Sequence, residues 1–228
     1  MNILYEDNHI IIVNKKCSEI VQGDKTGDKP LLEELKDFIK ARDDKPGNVF
    51  LGSPHRLDRP TSGIVIFAKT SKALSRLSEM FREQKIRKFY RAVVSGCPGK
   101  DKETLTHYLI RDTVKNKTKA YPLPKHGAQQ AVLTYAVAGK TDRYCLLEIE
   151  LHTGRHHQIR AQLAAEGCPI KGDLKYGFPR SNTNGGIYLH AWRVIFEHPV
   201  KKELLDITAP LPDNDPLWAA FPEKGVLV

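Results

Sequence analysis

The 228-residue sequence predicts an α+β fold, in which one mixed, mostly antiparallel β-sheet is flanked by helices and loops. Short runs of β-branched and other apolar residues recur along the chain, as is typical of strands. Other stretches space their apolar residues three or four positions apart, which is the pattern of a helix that packs on a sheet. The two patterns alternate irregularly, unlike a βαβ repeat. Neither a repeat nor a low-complexity linker divides the chain, so residues 1–228 are predicted to form a single domain.

The first predicted elements lie in the N-terminal third of the chain. A strand is predicted over Ile10–Val13, where the apolar run is β-branched. A helix is predicted from Leu31 to Ile39, and Pro30 suits its first turn. The uninterrupted run from Ile64 to Ala68 predicts a strand buried on both faces. A second helix, near Ser71–Gln84, places its apolar residues on one side.

The remaining predicted elements are mostly strands. A third helix is predicted to begin near Gln158 and to stop at Gly167. The stretch Lys100–Gln130 has the least regular pattern and is rich in lysine. Four more strands are predicted, over Phe89–Val94, Ala131–Ala138, Tyr144–Leu151 and Ile187–Phe196.

The composition favours a polyanionic partner. The chain carries 36 Lys and Arg against 27 Asp and Glu, which gives a net charge of +9 and a pI of about 9.3. This charge suits RNA or DNA without choosing between them, and a merely basic soluble surface is the alternative. No apolar run is long enough for a signal peptide or a membrane span, so a soluble, cytoplasmic protein is expected.

The cysteines indicate neither a zinc ribbon nor a disulfide framework. They are scattered along the chain, and no two of them form a CxxC pair. Reduced thiols are therefore expected at all four positions, Cys17, Cys97, Cys145 and Cys168.

The loop from His55 to Gly63 is the strongest candidate for a functional segment. Proline and glycine punctuate it, which predicts a rigid loop directly before the buried strand at Ile64. Asp58 is its one carboxylate, and Arg56 and Arg59 supply cations that can keep an aspartate ionised and grip a phosphate. An aspartate in a loop can also serve only to cap a turn.

Several segments resemble one known family. The nine residues His55–Gly63, HRLDRPTSG, resemble the catalytic motif of the ribosomal large subunit pseudouridine synthases, the RluA class, and Asp58 falls on the nucleophilic aspartate. Lys88–Ala92, KFYRA, is similar to the second motif of that family. Leu151–Leu163, LHTGRHHQIRAQL, is similar to the third. The segments ILYEDNHIIIVNKK, IKGD, KYG and YLHA resemble its opening and closing parts.

This resemblance implies an RNA pseudouridine synthase with three catalytic residues. Asp58 is the expected nucleophile, Tyr90 is expected to stack on the uracil, and Arg155 is the expected partner of the aspartate. The reaction breaks the bond from N1 to C1′ of a uridine, rotates the base and joins C5 to C1′, so it needs no cofactor and no metal. Asp58 is expected to act either by covalent attack at C1′ or by abstraction of the 2′ hydrogen.

The expected partner is structured ribosomal or transfer RNA, bound by a monomer. The target uridine must flip out of its stack, and Arg56 is expected either to fill the gap or to clamp a phosphate. Lys100–Gln130 either contacts RNA or is an ordinary solvated excursion from the sheet. The matching sequence begins near Met1, without an S4-like domain, so recognition is expected to come from the catalytic domain or a partner. The other residues expected to contact RNA are His55, Arg59, Thr61, Lys88, His157 and Arg160.

Other interpretations remain open at this point. A non-catalytic RNA-binding protein could keep the same fold, and a nucleoside glycosidase could use the same aspartate, with Asp173 as a second carboxylate. The histidines at 152, 156 and 157 could mimic a set of metal ligands, but Arg155 lies among them and no cysteine or acidic residue lies between them to complete a site. They are expected at a helix N-terminus, where they orient loops or contact phosphate.

Overall fold

A computed structural model describes residues 1–23, 27–213, 215–221 and 225–227. Within them the chain forms ten strands, four α-helices and one short 3₁₀ turn. The strands are β1 (Ile3–Glu6), β2 (Ile10–Lys15), β3 (Ser62–Ala68), β4 (Arg87–Ser95), β5 (Lys102–Asp112), β6 (Lys117–Tyr121), β7 (Gln129–Lys140), β8 (Tyr144–Leu151), β9 (Leu189–Glu197) and β10 (Leu204–Thr208). The helices are α1 (Leu31–Arg42), α2 (Ser71–Arg82), α3 (Gln158–Ala165) and α4 (Pro216–Ala219), and the 3₁₀ turn is Leu174–Tyr176.

All ten described strands belong to one sheet. Their order is β1-β2-β3-β9-β4-β8-β7-β5-β6, and β10 pairs with β9 outside this path. Only β3 and β9 run parallel, and the other pairs are antiparallel. The prediction of a mixed, mostly antiparallel sheet is therefore confirmed, as are the three predicted helices.

The segment Lys100–Gln130 differs from its prediction. It is not irregular, because β5 and β6 form an antiparallel hairpin within it, with Arg111 paired to Thr118. β5 also pairs with β7 along eight residues, from Lys102 to Leu109. The strands were missed because many of their positions are exposed and polar, so the apolar alternation that marks a strand is weak here.

The two largest hydrophobic clusters of the described residues pack α1, α2 and α3 against the sheet. The first packs β2 and β3 against α1 and α2, with Leu35 and Leu77 fully buried. The second packs β4, β7 and β8 against α3, where Leu163 is fully buried. Tyr90 of β4 is partly buried and touches both clusters. The strand that carries Tyr90 therefore lies where the two clusters meet.

Gly63 allows β3 to approach β9 closely. It pairs with Ala191, and its φ of +112° lies where residues with a side chain are strained. A Cβ at this position would overlap the backbone of Ala191. On its other side Ala191 pairs with Tyr90, and the register of β4 shifts between Phe89 and Tyr90. A bulge of this kind changes the direction of a side chain. Because Ala191 pairs with Gly63 on one side and with Tyr90 on the other, it sets the distance between Tyr90 and the loop that precedes β3.

Replacement of Gly63 by alanine is expected to destabilise the protein by roughly 1–3 kcal/mol, because the new Cβ must push β3 away from β9 and adopt a strained φ. The free energy of unfolding in urea measures this effect. Gly47→Ala is the matched control, because a Cβ at Gly47 meets no atom within 4 Å and its φ is not positive. Equal stability of the two variants would contradict the requirement for glycine at position 63.

The structure corrects the expectation of four reduced thiols. Cys97, which follows β4, and Cys145 of β8 form a disulfide, with their Cα atoms 5.5 Å apart. The strands are antiparallel neighbours and Val94 pairs with Cys145, so the fold brings together two residues that are 48 positions apart in sequence. Cys17 and Cys168 carry free thiols.

Candidate active site

A cleft of about 500 Å³ opens between the loop before β3, strand β4 and the start of α3. Three separate parts of the chain supply its walls, and the pairing of β3 with β9 and of β9 with β4 brings them together. Of the ten predicted site residues, Arg59 alone is absent from the lining. The nine that line the cleft are His55, Arg56, Asp58, Thr61, Lys88, Tyr90, Arg155, His157 and Arg160.

Asp58 is paired with a buried arginine at the edge of this cleft. Arg160 donates from Nη1 to Oδ2 of Asp58 at 2.9 Å. Burial disfavours the charge of Arg160, but the carboxylates of Asp173 and Asp58 outweigh burial and raise the pKa of the guanidinium above its usual value. The side chain of Asp58 keeps 29% of its surface exposed. It is therefore both paired with a permanent cation and open to a ligand.

The expectation that Arg155 pairs with Asp58 is wrong. Arg155 is exposed, and its Nε donates to the carbonyl oxygen of Gln130 at 3.2 Å. It lies before α3, where its backbone N–H is bound by the side-chain oxygen of Gln158. Arg160 lies in the first turn of α3 and faces the cleft. The predicted motif does supply the cation, but from a position five residues further along the chain.

Asp173 supports Arg160 and is not available as a second acid. It is 1% exposed. Its Oδ2 accepts from Nε of Arg160 at 2.7 Å, and its Oδ1 accepts from Nη2 at 2.9 Å. This bidentate pair fixes the plane of the guanidinium and directs the remaining nitrogen, Nη1, to Asp58.

Tyr90 forms one wall of the cleft. Its side chain is half-buried, and no hydrogen bond to its hydroxyl is found in the described part of the chain. Burial, and then the charge of Asp58, raise the pKa of Tyr90. The phenol is therefore neutral at physiological pH and presents a flat ring to the cleft.

His55 and Thr61 anchor the loop that carries Asp58. Nε2 of His55 accepts a hydrogen bond from the backbone N–H of Ile66 at 2.9 Å, and its ring stacks on Phe81 with centroids 4.4 Å apart. Burial lowers the pKa of His55 to about 3, so the ring is neutral. The backbone N–H of Thr61 donates to the carbonyl oxygen of Asp58 at 3.0 Å. Both residues hold the loop in place, although they were predicted to contact RNA.

The other predicted RNA-binding residues differ in position. Arg56 is exposed and lines the cleft. Arg59 is also exposed but points away from the lining, and it forms an ion pair of 2.5 Å with Asp28. Lys88 lines the cleft, and burial lowers its pKa. Arg56 and Lys88 therefore remain candidates for contact with a ligand in the cleft, and Arg59 lies outside it.

The three histidines near α3 each contact a protein group. Nε2 of His152 lies 2.8 Å from Oγ1 of Thr134, and Nδ1 of His156 lies 2.8 Å from Oγ1 of Thr118. The rings of His156 and His157 stack with centroids 3.8 Å apart. The histidines were expected to orient loops or to contact phosphate, and the contacts in the structure are with protein groups.

His157 links Asp58 to Tyr176, a residue that was not predicted to belong to the site. Its Nε2 lies 3.5 Å from Oδ2 of Asp58, and its Nδ1 lies 2.9 Å from the hydroxyl of Tyr176. Burial lowers the pKa of His157 to about 3. Tyr176 was quoted only as part of the segment KYG, and nothing in its local sequence indicated that its hydroxyl would reach the site.

Comparison with known proteins identifies the family. Residues 9–165, more than half of the chain, match the family model described as RNA pseudouridylate synthase. The chain belongs to this family. Pseudouridine synthases are isomerases that act on uridine in RNA, and the segment that matches contains Asp58, Tyr90 and Arg160.

Individual pseudouridine synthases extend this finding. Ribosomal large subunit pseudouridine synthase C of Vibrio parahaemolyticus is 32% identical over 215 residues, which cover 92% of this chain but only 65% of that protein. The same organism's tRNA pseudouridine synthase C is 31% identical over 235 residues, which cover 94% of this chain and 92% of that protein. A solved structure, Human RNA Pseudouridylate Synthase Domain Containing 4, has a TM-score of 0.77 at 24% identity over 93% of this chain and 89% of its own, which supports the fold.

The longest of the described helices, α1 and α2, have 12 residues each. None of the described helices combines the length and the apolar character that a membrane-crossing helix requires.

Proposed function

We propose that this pseudouridine synthase isomerises a specific uridine in folded ribosomal or transfer RNA, with Asp58 as the nucleophile. One observation carries the proposal. The carboxylate of Asp58 is bonded to buried Arg160, yet it remains 29% exposed in a cleft. A reaction at C1′ of a nucleotide needs an anionic oxygen that is both ionised and reachable. The names of the relatives support both RNA classes.

We assign the reacting atom to Oδ1 of Asp58. The contacts from Arg160 and His157 both fall on Oδ2, and no hydrogen bond to Oδ1 is found among the described residues. As the bond from N1 to C1′ breaks, its electron pair leaves with uracil and positive character develops at C1′. Oδ1 then either forms a bond to C1′ or removes the 2′ hydrogen as a proton. In both routes Arg160 places its positive charge beside Oδ2 of the carboxylate.

Tyr90 is the surface on which the detached uracil rotates. Its ring is flat and partly desolvated, which favours stacking on a base. Its raised pKa keeps the hydroxyl protonated, and a neutral phenol is a poor base. We therefore assign to the hydroxyl a hydrogen bond to uracil and to the ring the retention of the base during rotation.

Cations around the cleft are the groups that hold the flipped nucleotide. Arg56, Arg82 and Arg155 are exposed and line the opening, and Lys88 lies deeper. Arg56 lies two residues before Asp58, so its guanidinium can either stack in the gap left by the uridine or clamp the adjacent phosphate. The described residues of one chain are sufficient to line the cleft, and we propose that the enzyme acts as a monomer.

The β5–β6 hairpin extends this basic surface away from the cleft. Lys119 and Lys125 lie 5.1 and 4.5 Å from the ring centroid of Tyr121, and both lysines are exposed. Lysines around an aromatic ring suit a nucleic-acid strand, because the cations bind phosphates and the ring stacks on a base. Thr118, on the same strand, contacts His156 beside the cleft. We assign to this hairpin edge the RNA that flanks the target uridine.

Replacement of Lys115, Lys119 and Lys125 by glutamine is expected to weaken RNA binding. It is also expected to reduce the salt dependence of binding, so that the slope of log K against log salt becomes less negative by up to about 2–3. Binding to ribosomal and transfer RNA at several salt concentrations measures both quantities. The matched control replaces three lysines on and after α1, Lys36, Lys40 and Lys45. If the slope of log K against log salt did not change in the hairpin variant, these lysines would not contact the RNA.

Mapping of pseudouridine across total RNA tests the function directly. Cells that lack the gene are compared with cells that carry either the wild-type chain or Asp58→Asn. We expect one site or a small set of sites to disappear without the gene and to return only with the wild type, which also identifies the RNA. A map that never changes would instead favour a non-catalytic RNA-binding protein.

A further inference from the structure

A line of three polar contacts leads from β6 to Asp58. The backbone N–H of Thr118 donates to the hydroxyl oxygen of Tyr176 at 2.8 Å. That hydroxyl lies 2.9 Å from Nδ1 of His157, and Nε2 of His157 lies 3.5 Å from Oδ2 of Asp58. The intermediate members, Tyr176 and His157, are buried. The Asp58 carboxylate is therefore connected to a strand outside the cleft.

The partners of Tyr176 determine which nitrogen of His157 carries the proton. The phenol oxygen already accepts the N–H of Thr118, so its own proton requires an acceptor, and Nδ1 of His157 lies at hydrogen-bonding distance. We assign the hydroxyl as the donor in this contact, which makes Nδ1 unprotonated and leaves the proton on Nε2. Nε2 faces a carboxylate, and the opposite tautomer would direct a lone pair at that anion. Both ends of the ring therefore select the same tautomer.

The position of His157 at the start of α3 gives no helix-forming reason for a histidine there. His157 stands at the position before α3 where a short polar side chain usually caps the first N–H groups, but it makes no such hydrogen bond. Its φ of 50° lies in the left-handed region, which costs a residue with a side chain conformational energy. The missing cap and the left-handed φ both cost stability. The same conformation places the His157 side chain beside Asp58.

The surroundings of His157 keep its ring neutral. Burial opposes a positive charge, and the cations of Arg160 and Lys175 and the ring of His156 also disfavour it, while Asp58 favours it. A neutral ring with its proton on Nε2 can donate to the carboxylate without adding a charge. Because Arg160 and His157 both approach Oδ2, they leave Oδ1 as the oxygen turned to the cleft.

We propose that His157, held in its Nε2–H form by Tyr176, is a positioning residue that fixes Oδ2 of Asp58 and so orients Oδ1 toward C1′. The inference rests on the proposed function of Asp58. His157 does not touch the reacting atoms, and the hydroxyl of Tyr176 acts through His157. The ring of Tyr176 also packs under the guanidinium of Arg160, 5.0 Å from the ring centroid, and Tyr176→Phe keeps that contact. We expect a nucleotide in the cleft to shorten this 3.5 Å contact, because hydrogen bonds in catalytic sites commonly tighten when the substrate binds.

Nitrogen-15 NMR of the full chain tests the tautomer without any RNA. We expect the signals of His157, identified by their absence in His157→Gln, to show an unprotonated Nδ1 and a protonated Nε2. In Tyr176→Phe the same residue is expected to lose this fixed form and show both tautomers. A protonated Nδ1 in the wild type would overturn the inference.

Two substitutions at His157 test the effect on the reaction. Glutamine places an N–H group near the position of Nε2, whereas asparagine places it near that of Nδ1, too short to reach Asp58. Asparagine is the better residue for a left-handed φ. A purely structural role therefore predicts that His157→Asn is the more active variant, and the proposed role predicts that His157→Gln is.

Tritium release from C5-labelled ribosomal and transfer RNA of cells lacking the gene measures the rate at saturating RNA. We expect His157→Asn and Tyr176→Phe to lower this rate about tenfold or more with little change in the RNA concentration at half-saturation, and His157→Gln to lose less. Equal rates for His157→Gln and His157→Asn, with Asp58→Asn inactive, would overturn the inference and leave the proposed function intact. Activity in Asp58→Asn would instead overturn the proposed function.

Discussion

Asp58→Asn is expected to lower the rate of isomerisation by about 10⁴-fold or more, the size of effect seen when a nucleophile is removed from an enzyme. The amide oxygen of asparagine cannot form the bond to C1′ and is too weak a base to take the 2′ hydrogen. Arg160 keeps its bidentate partner Asp173 in this variant, so the cleft should keep its shape. Tritium release from C5 of RNA uridine measures the loss.

The same variant separates catalysis from binding. Removal of one negative charge from the cleft is expected to leave RNA affinity unchanged or slightly tighter, because phosphates approach the site. Asp37→Asn is the matched control, because this aspartate lies on α1 and its side chain is 67% exposed. Full activity of Asp58→Asn would remove Asp58 from the mechanism, and a parallel loss of RNA binding would indicate damage to the cleft.

Arg160→Met is expected to lower the free energy of unfolding by about 3–5 kcal/mol, because it leaves the carboxylate of Asp173 buried without its counter-ion. Asp173 is 1% exposed and receives two hydrogen bonds from Arg160. The rate of isomerisation should also fall, because Asp58 loses the cation that binds and orients its Oδ2. Urea unfolding and tritium release measure the two effects separately.

A double variant distinguishes these two roles of Arg160. Addition of Asp173→Asn removes the unpaired buried charge, so Arg160→Met/Asp173→Asn is expected to recover part of the stability but none of the activity. Arg155→Met is the control for the corrected assignment, because Arg155 is exposed and contacts the carbonyl oxygen of Gln130. If Arg155→Met lost as much stability as Arg160→Met does, the assignment of Arg160 as the buried partner of Asp173 and Asp58 would be wrong.

The sequence predicted those parts of the site that depend on local pattern. The buried run Ile64–Ala68 follows a loop rich in proline and glycine, so the presentation of Asp58 before a core strand could be inferred from neighbouring residues alone. The apolar spacing of α1, α2 and α3 likewise predicted helices at the right places. These features depend on residues a few positions apart.

The parts that were missed depend on contacts between distant residues. Arg155 and Arg160 are both basic residues of one motif, and although the start of α3 near Gln158 was predicted, only the packing of α3 beside the Asp58 loop decides which of them reaches Asp58. Cys97 and Cys145 meet because β4 pairs with β8. Tyr176 reaches His157 from a 3₁₀ turn nineteen positions away. Sequence spacing contains none of this information.

The parallel pairing of β3 with β9 affects how activity is recovered after unfolding. Ser62 and His190, which are 128 positions apart, pair here. Asp58 lies in the loop before β3, and Tyr90 lies on β4, which pairs with the other edge of β9. Contacts of such long range form slowly, because a large loop must close before they stabilise the chain. In a refolding experiment, enzyme activity should therefore return later than the circular dichroism signal of the helices. The time at which activity returns would then report the pairing of β3 with β9.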